Sequence, residues 1–356
     1  MNRRLTFAAA AGLSAIILLA RAGAAQNSPT LPTLPFALWE RYLDSLRLES
    51  GIPGLSGAIV KDGKLYWEGG FGLSDVDRSI AAAPDTPYPV GGLTQAFTGV
   101  LLGICADRHT LEVDDPIRKW APLFPDATAT VRQVLAHGTE GRFRYDPGLY
   151  ANLTAVAESC TAKPFRVTMA DEIFERLGMA ASVPGLDIGT AGNLARDLFD
   201  ANRLARYGAV LARLAVPYHV DRTGKPIKGD FGFKGLDAST GVVTTVRELA
   251  RFDIALDAGV PLSLSTLDQM WSQAVFGGAA LPTGLGWFVQ VVAGERLVWS
   301  FGHIPDAGSA LIVKLPAKHS TLILLANSPG LVTGANLEQA DVTASPFVKI
   351  FLRLFL

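Results

Sequence analysis

Three short segments of the sequence bring together side chains that could carry chemistry. They are 88–95, which reads YPVGGLTQ, 145–150, which reads YDPGLY, and 302–306, which reads GHIPD. The first segment runs into an apolar stretch, Ala96–Ile104, so it predicts the start of a helix. Gly92 and Gln95 stand three positions apart and would share one face of that helix. Glycine cannot be acylated and a glutamine amide cannot take a proton, so this face offers neither a nucleophile nor a base.

Two hydroxyl groups lie near these positions without a group that would activate them. Thr94 is two positions beyond the glycine, about 200° around a helix, so its hydroxyl is expected to point away. Thr139 has no matched base beside it that could activate its hydroxyl. A relocated nucleophile is therefore disfavoured, although Tyr145, Asp146 and His303 remain as groups that could activate a water molecule.

Several short motifs occur in an order that resembles the serine β-lactamase and penicillin-binding protein family, in its class C β-lactamase-related branch. The motifs are Leu55–Tyr66, Leu111–Ile117, Val134–His137, Leu177–Met179, Thr240–Thr245, Gly284–Trp287 and Leu324–Asn327. Each is weak alone, but their order over roughly 270 residues is specific. The resemblance implies acyl transfer through a serine at a helix start, with a lysine one turn later. Gly92 and Gln95 stand at those two positions.

Two further motifs of that family are altered where they would handle substrate. Tyr145 matches a tyrosine that the resemblance implies would move a proton, but the asparagine that would bind the substrate amide is Pro147. His303 aligns with the third motif, Lys-Thr-Gly or His-x-Gly, and the glycine of that motif is Pro305. We expect this proline to be tolerated only at a sheet edge or a bulge. The vestigial catalytic positions are Gly92, Gln95, Tyr145, Pro147 and His303.

These changes favour a catalytically inactive protein that binds a cell-wall peptide, another acyl or carboxylate compound, or a protein partner. The expected ligand-binding residues are Gly92, Gln95, Tyr145, Asp146, His303 and Asp306. Gly92 would widen the pocket by removing a side chain, and the N–H groups of the helix start would attract anionic or carbonyl-bearing ligands. Two alternatives stay open: a hydrolase of the same fold, such as an esterase or amidase, with relocated catalysis, and a structural remnant whose cleft is closed.

Composition and the first residues predict an exported globular protein. Of the 356 residues, 49% are hydrophobic, and a net charge of −1 gives no electrostatic footprint for nucleic acid. Arg3 and Arg4 precede the apolar run Leu5–Ala20 and small residues at 22–25, which is typical of a signal peptide over 1–25. After cleavage we expect no membrane span and a periplasmic or secreted location. An uncleaved membrane anchor is the alternative.

The two cysteines and the histidines do not indicate a metal or cofactor site. Cys105 and Cys160 both lie in apolar helical contexts, and no Cys/His spacing resembles a zinc site. Two buried free thiols are the favoured interpretation. A disulfide is the alternative, and sequence alone does not decide between them.

The elements that must position these residues predict an α+β fold. Leu55–Lys61 and Lys64–Glu68, joined by Asp62-Gly63, predict a hairpin, and 344–356 predicts a helix with an apolar face. Further strands are predicted at Leu285–Val292, Arg296–Phe301, Ser309–Leu315 and Thr321–Ala326. Both chain ends would form one antiparallel sheet with flanking helices, and a helical lobe at about 94–236 would be inserted within a single domain at 26–356. The β-lactamase/transpeptidase-like fold has this layout, so pattern and resemblance agree.

Overall fold

The computed structural model describes residues 34–221 and 223–355. The helices are α1 (Leu34–Glu49), α2 (Thr94–Asp107), α3 (Val131–Leu135), α4 (Pro147–Tyr150), α5 (Leu153–Thr161), α6 (Phe165–Thr168), α7 (Ala201–Leu211), α8 (Val246–Asp257), α9 (Leu264–Met270) and α10 (Pro346–Phe355). The strands are β1 (Gly54–Lys61), β2 (Lys64–Asp75), β3 (Ile80–Ala81), β4 (Tyr88–Pro89), β5 (Val183–Pro184), β6 (Tyr218–Val220), β7 (Pro226–Lys228), β8 (Val242–Thr244), β9 (Val275–Phe276), β10 (Ala279–Ala280), β11 (Phe288–Val292), β12 (Glu295–Ile304), β13 (Gly308–Leu315) and β14 (Ser320–Ala326). The predicted signal peptide, 1–25, lies outside the described residues.

A seven-stranded sheet joins the first and last strands of the described chain. Its order is β11-β12-β13-β14-β1-β2-β3, and neighbouring strands are antiparallel. Leu55 of β1 lies opposite Ala326 of β14. The first and the last strand of the described chain are therefore neighbours in the middle of the sheet. Asp62 and Gly63 have φ angles of 51° and 69°, the left-handed conformation that a two-residue hairpin turn requires. The predicted α+β fold is confirmed.

Alternate residues of the sheet face two separate cores. On β13, Leu311 and Val313 point into a core that α1 and α10 cover. Ala310 and Ile312 point to the opposite core, which contains buried residues of α2 and α8. Because successive side chains of a strand face opposite sides, both faces of the sheet are buried, and its inner strands are largely apolar.

The segment between the two halves of the sheet, 82–287, holds helices and short strands outside the seven-stranded sheet. It contains α2 to α9 and β4 to β10. Helix α2 is buried along Thr94–Cys105, which agrees with its being apolar on every side. It is therefore the central helix of the larger core, and its first turn is held from several directions.

A disulfide joins Cys105 of α2 to Cys160 of α5, with 6.1 Å between the Cα atoms. The expectation of two free thiols is wrong. Helices α2 and α5 pack side by side, which brings together two residues separated by 55 positions. A disulfide of this kind typically stabilises a fold by about 2–4 kcal/mol.

Among the helices of residues 34–221 and 223–355, none is both long enough and apolar enough to cross a bilayer.

Candidate active site

The start of helix α2 meets the end of strand β12 at Gly92. A short 3-10 turn, Gly91–Leu93, leads into α2. Strand β12 passes so close that a Cβ atom at Gly302 would lie 1.8 Å from the carbonyl oxygen of Val90. Glycine at position 302 is therefore required for this approach. The helix start faces the strand end directly, as the resemblance implies.

The phenol hydroxyl of Tyr145 occupies the space that a side chain at position 92 would need. A Cβ atom at Gly92 would lie 2.6 Å from Tyr145 Oη and 3.2 Å from the carbonyl oxygen of Phe301. Phe288 and Phe301 pack on the tyrosine ring, with ring centroids 5.9 and 5.2 Å away. The expectation that Gly92 widens the pocket is wrong, because a tyrosine from the neighbouring segment fills the room.

The side chain of Gln95 is held at both ends of its amide. Its Oε1 atom lies 2.9 Å from His137 Nε2, and its Nε2 atom donates to Tyr145 Oη over 3.4 Å. The N–H of Asp146 donates to His137 Nδ1 over 3.3 Å. Because Nδ1 accepts a hydrogen bond from the backbone N–H of Asp146, the ring hydrogen must lie on Nε2 and point to Gln95. Neither nitrogen of this histidine has a lone pair left for a substrate.

Burial keeps the titratable members of this network neutral. It lowers the pKa of His137 from 6.5 to about 3, against a small opposing effect of the Asp146 charge. Burial also raises the pKa of Tyr145 above its usual range, and the negative charge of Glu338 adds to that shift. At neutral pH the tyrosine keeps its proton, and the neutral histidine is a weak base whose acceptor nitrogen already takes the N–H of Asp146, so neither is available as a general base.

His137 and Tyr150 are central here and were not identified from the sequence as site residues. The ring of Tyr150 stacks on His137 with centroids 5.0 Å apart, and its hydroxyl donates to the backbone oxygen of Gln95 over 3.0 Å. The one sequence signal was that the Val134–His137 turn belongs to the resembling motifs. That signal placed the turn, but it did not reveal that the histidine faces Gln95.

Asp146 and Pro147 form the start of helix α4. The carboxylate of Asp146 accepts a hydrogen bond from the N–H of Leu149 over 3.0 Å, and Pro147 occupies the first helical position. An aspartate at the cap and a proline at the first turn both favour a helix start. Arg144 adds an ion pair to Asp146 at 3.2 Å. These two residues thus have local structural partners, and Pro147 itself is exposed.

His303, Pro305 and Asp306 lie at the end of β12 and in the turn that follows it. The last paired residues are Ile304 and Gly308, so Pro305 interrupts no hydrogen bond between strands. The expectation of a sheet edge or bulge is therefore wrong, because the proline stands in a hairpin turn where Asp306 has a φ of 57°. The side chain of His303 is exposed.

A cavity of about 290 Å³ lies beside the helix start rather than over it. Its lining residues are Pro89, Gly91, Leu186, Asp230, Phe231, Gly232, Phe233, Lys234, Gly235, Thr240, Gly241, His303, Ile304 and Pro305. The structure thus brings His303 and Gly91, in the turn that leads into α2, to one cavity. Gly92, Gln95, Tyr145, Asp146 and Asp306 are not among its lining residues.

The segment 230–241 supplies much of this cavity and was not predicted to take part. It is polar and rich in glycine, and its two phenylalanines, Phe231 and Phe233, stand near the mouth, where 55% of Phe233 is exposed. Within the described ranges, no three His, Cys, Asp or Glu side chains are placed to hold a metal ion together.

The fold and this site define a member of the beta-lactamase family. Residues 37–343 match the Beta-lactamase protein family, and the chain therefore belongs to it. The match covers the sheet, the helical segment and the site.

Individual proteins agree with that assignment over different lengths. "Protein flp" of Staphylococcus aureus (strain NCTC 8325 / PS 47) is 32% identical over 139 residues, which are 36% of this chain and 26% of that protein. The chain thus spans about a quarter of the length of this relative. A penicillin-binding protein homologue from Pyrococcus abyssi, described as octameric, has a TM-score of 0.69 at 21% identity, over 83% of this chain and 74% of that one. A class C beta lactamase from Rhodobacter sphaeroides has a TM-score of 0.66 at 14% identity, over 88% and 99%.

Proposed function

We propose that this chain is an exported, catalytically inactive member of the beta-lactamase family that binds a small peptide or acyl ligand beside the vestigial site. One observation carries the proposal: Tyr145 Oη fills the position where the side chain of residue 92 would stand. A covalent route needs a hydroxyl there and a base one turn later. Gly92 has no hydroxyl, and the amide of Gln95 is engaged at both ends.

Relocated catalysis has no free group to use at this place. A water-activating base must hold a lone pair at the pH of the reaction. Both ring nitrogens of His137 are occupied, Tyr145 keeps its proton, and the carboxylate of Asp146 caps a helix. His303 is exposed and lines the cavity beside Gly91, and among the described residues no hydrogen bond joins its side chain to these groups.

The disulfide supports the proposal of export. Bonds such as Cys105–Cys160 form and persist in oxidising compartments and are rare in reducing ones. The charged and apolar pattern over 1–25 supports the same location through a cleaved signal peptide.

The cavity favours a ligand that combines an apolar part with a carboxylate or carbonyl group. Phe231, Phe233 and Ile304 offer apolar and aromatic surface, and Lys234 lines the same cavity, with its Nζ atom 3.9 Å from Asp230 Oδ2. Gly91, in the short turn that leads into α2, also lines the cavity, and the positive end of the α2 dipole favours negative charge nearby. A cell-wall peptide that ends in a free carboxylate has both parts.

Calorimetric titration with an acetylated D-Ala-D-Ala peptide tests the proposed binding, with its carboxamide form in parallel. Binding of the free acid should exceed that of the amide, because the amide lacks the negative charge. Thr240→Trp should abolish binding by filling the cavity, whereas Leu123→Trp, at a position 96% exposed, should leave it unchanged. Absence of binding, or equal binding by both variants, would remove this cavity as the functional surface.

A further inference from the structure

A lysine is buried beside two aspartates at a place remote from the family's motifs. Lys314 lies on β13, and its Nζ atom is 3.0 Å from Asp253 Oδ1 and 2.8 Å from Asp257 Oδ2. The side chains of Lys314 and Asp253 are 2% and 1% exposed, whereas that of Asp257 is 26% exposed. Trp271 covers the ammonium group, with its ring centroid 5.4 Å from Nζ. The cluster is therefore shielded from solvent on the side of the sheet, and only Asp257 reaches the surface.

The two acids share one face of helix α8 because they stand four positions apart. One ammonium group cannot balance two carboxylates, so a net negative charge stays in the core unless one acid holds a proton. Asp253 is the more deeply buried of the two acids, and its Oδ2 atom has no hydrogen-bond partner among the described residues. Burial raises the pKa of Asp253 despite the nearby lysine, which favours its protonated form. Asp257 pairs with Lys314 at the rim, and the two carboxylates hold the pKa of Lys314 above its usual range despite burial, so the amine must give up a proton before it can react.

This arrangement holds an amine and two carboxyl groups in contact, with only Asp257 reaching the solvent. A carboxyl carbon accepts an amine far more readily when the acid is protonated than when it is ionised. The lysine amine is a nucleophile only without its extra proton, and Asp257 is placed to take that proton. Burial fixes the reacting groups in one geometry, which replaces a collision by a first-order step.

We propose that Lys314 and Asp253 join through a side-chain amide bond, with Asp257 as the proton acceptor. Asp257 takes a proton from the ammonium group, and the freed Nζ attacks the Cγ atom of Asp253. Asp257 returns this proton to the departing hydroxyl, which leaves as water, and then takes the second proton that the attacking nitrogen must lose. Asp257 thus ends protonated and can release that proton to solvent at the rim. One C–N bond forms, one C–O bond breaks and one water molecule leaves, so the step needs no oxidant, reductant or cofactor. The product is a neutral amide that ties α8 to β13 covalently.

Peptide mass measurement on the folded full chain tests this bond. After reduction of the disulfide and digestion with trypsin, an unlinked chain gives the separate peptides 252–296 and 297–314. The linked chain resists cleavage after Lys314, because its amine is acylated, and gives 252–296 joined to 297–318. The joined product should be lighter than the summed masses of 252–296 and 297–318 by the mass of one water molecule. Free 297–314 of unmodified mass, with no joined product, would overturn the proposal.

Two comparisons separate the reaction from a mere ion pair. Asp257→Asn keeps the shape of the side chain but removes the proton acceptor, and should slow bond formation roughly 10²-fold or more. Lys318, whose pair with Glu295 at 3.3 Å is partly exposed, should be cleaved normally in every sample. An Asp257→Asn chain that links as fast as the parent would show that Asp257 has no part in the step.

Discussion

Two of the buried polar clusters in the described residues differ in how their charges are balanced. At the start of α2, Gln95, His137 and Tyr145 are neutral and bonded to one another. Beneath the sheet, Lys314 stands between Asp253 and Asp257 with one more acid than base. Family chemistry would be sought in the first cluster, yet charged and unsatisfied groups occur in the second. A family motif therefore marks a location in the fold, and the groups present there decide what it can do.

The largest expected effect belongs to the charged cluster. Lys314→Met removes the only cation in contact with Asp253 and Asp257 among the described residues, and should lower the free energy of unfolding by roughly 3–5 kcal/mol. Lys318→Met breaks the partly exposed pair with Glu295 and should cost at most about 1 kcal/mol. Urea unfolding of both variants measures the difference. Equal, small losses would contradict the description of this cluster as a tightly coupled one.

A smaller effect is expected where Tyr145 fills the room beside Gly92. Gly92→Ala places a methyl group against the phenol oxygen and should cost about 1–3 kcal/mol of stability through overpacking. Tyr145→Phe should cost about 1 kcal/mol through its lost hydrogen bond. If the hydroxyl is the obstacle, the double variant should lose less than the two single variants together. Additive losses in urea unfolding would show that Tyr145 does not occupy that space.

The neutral cluster should also make the free energy of unfolding depend on pH. The pKa of His137 falls from 6.5 in the unfolded chain to about 3 in the fold. A lowered folded pKa means that the unfolded chain binds more protons, so its contribution to stability is complete above pH 6.5 and is lost as pH falls toward 3. The slope should reach about 1.4 kcal/mol per pH unit in that window. His137→Gln should be flatter than the parent over the same window, and an unchanged slope would argue against a neutral buried histidine.

For the last change we expect no effect on the rate of hydrolysis. Gly92→Ser combined with Gln95→Lys restores two catalytic side chains, but Tyr145 still occupies the space, and Pro147 and Pro305 remain. A misplacement of about 1 Å costs on the order of 10²-fold in rate. A chromogenic β-lactam should therefore be hydrolysed no faster by this variant than by the parent chain. Turnover near the usual range for enzymes, about 1–10³ per second, would show that the remaining differences are harmless.

The fold could be predicted because its signals are local and periodic. Asp62-Gly63 fixes a hairpin by its own backbone preferences, and the apolar face of the last helix appears in its sequence spacing. The contacts of the site could not be predicted in the same way. The partners of His137 and the position of Tyr145 Oη depend on how distant segments pack. The disulfide was missed for the same reason, since 55 positions separate its cysteines.

The central claim is that the segment around Gly92 performs no acyl transfer. The most direct measurement is the intact mass of the folded full chain after exposure to a penicillin and, separately, to a fluorophosphonate, followed by peptide mapping. We predict an unmodified mass with both reagents, because position 92 has no hydroxyl and Tyr145 keeps its proton. A stoichiometric adduct that maps to residues 88–95, or to Tyr145, would contradict it.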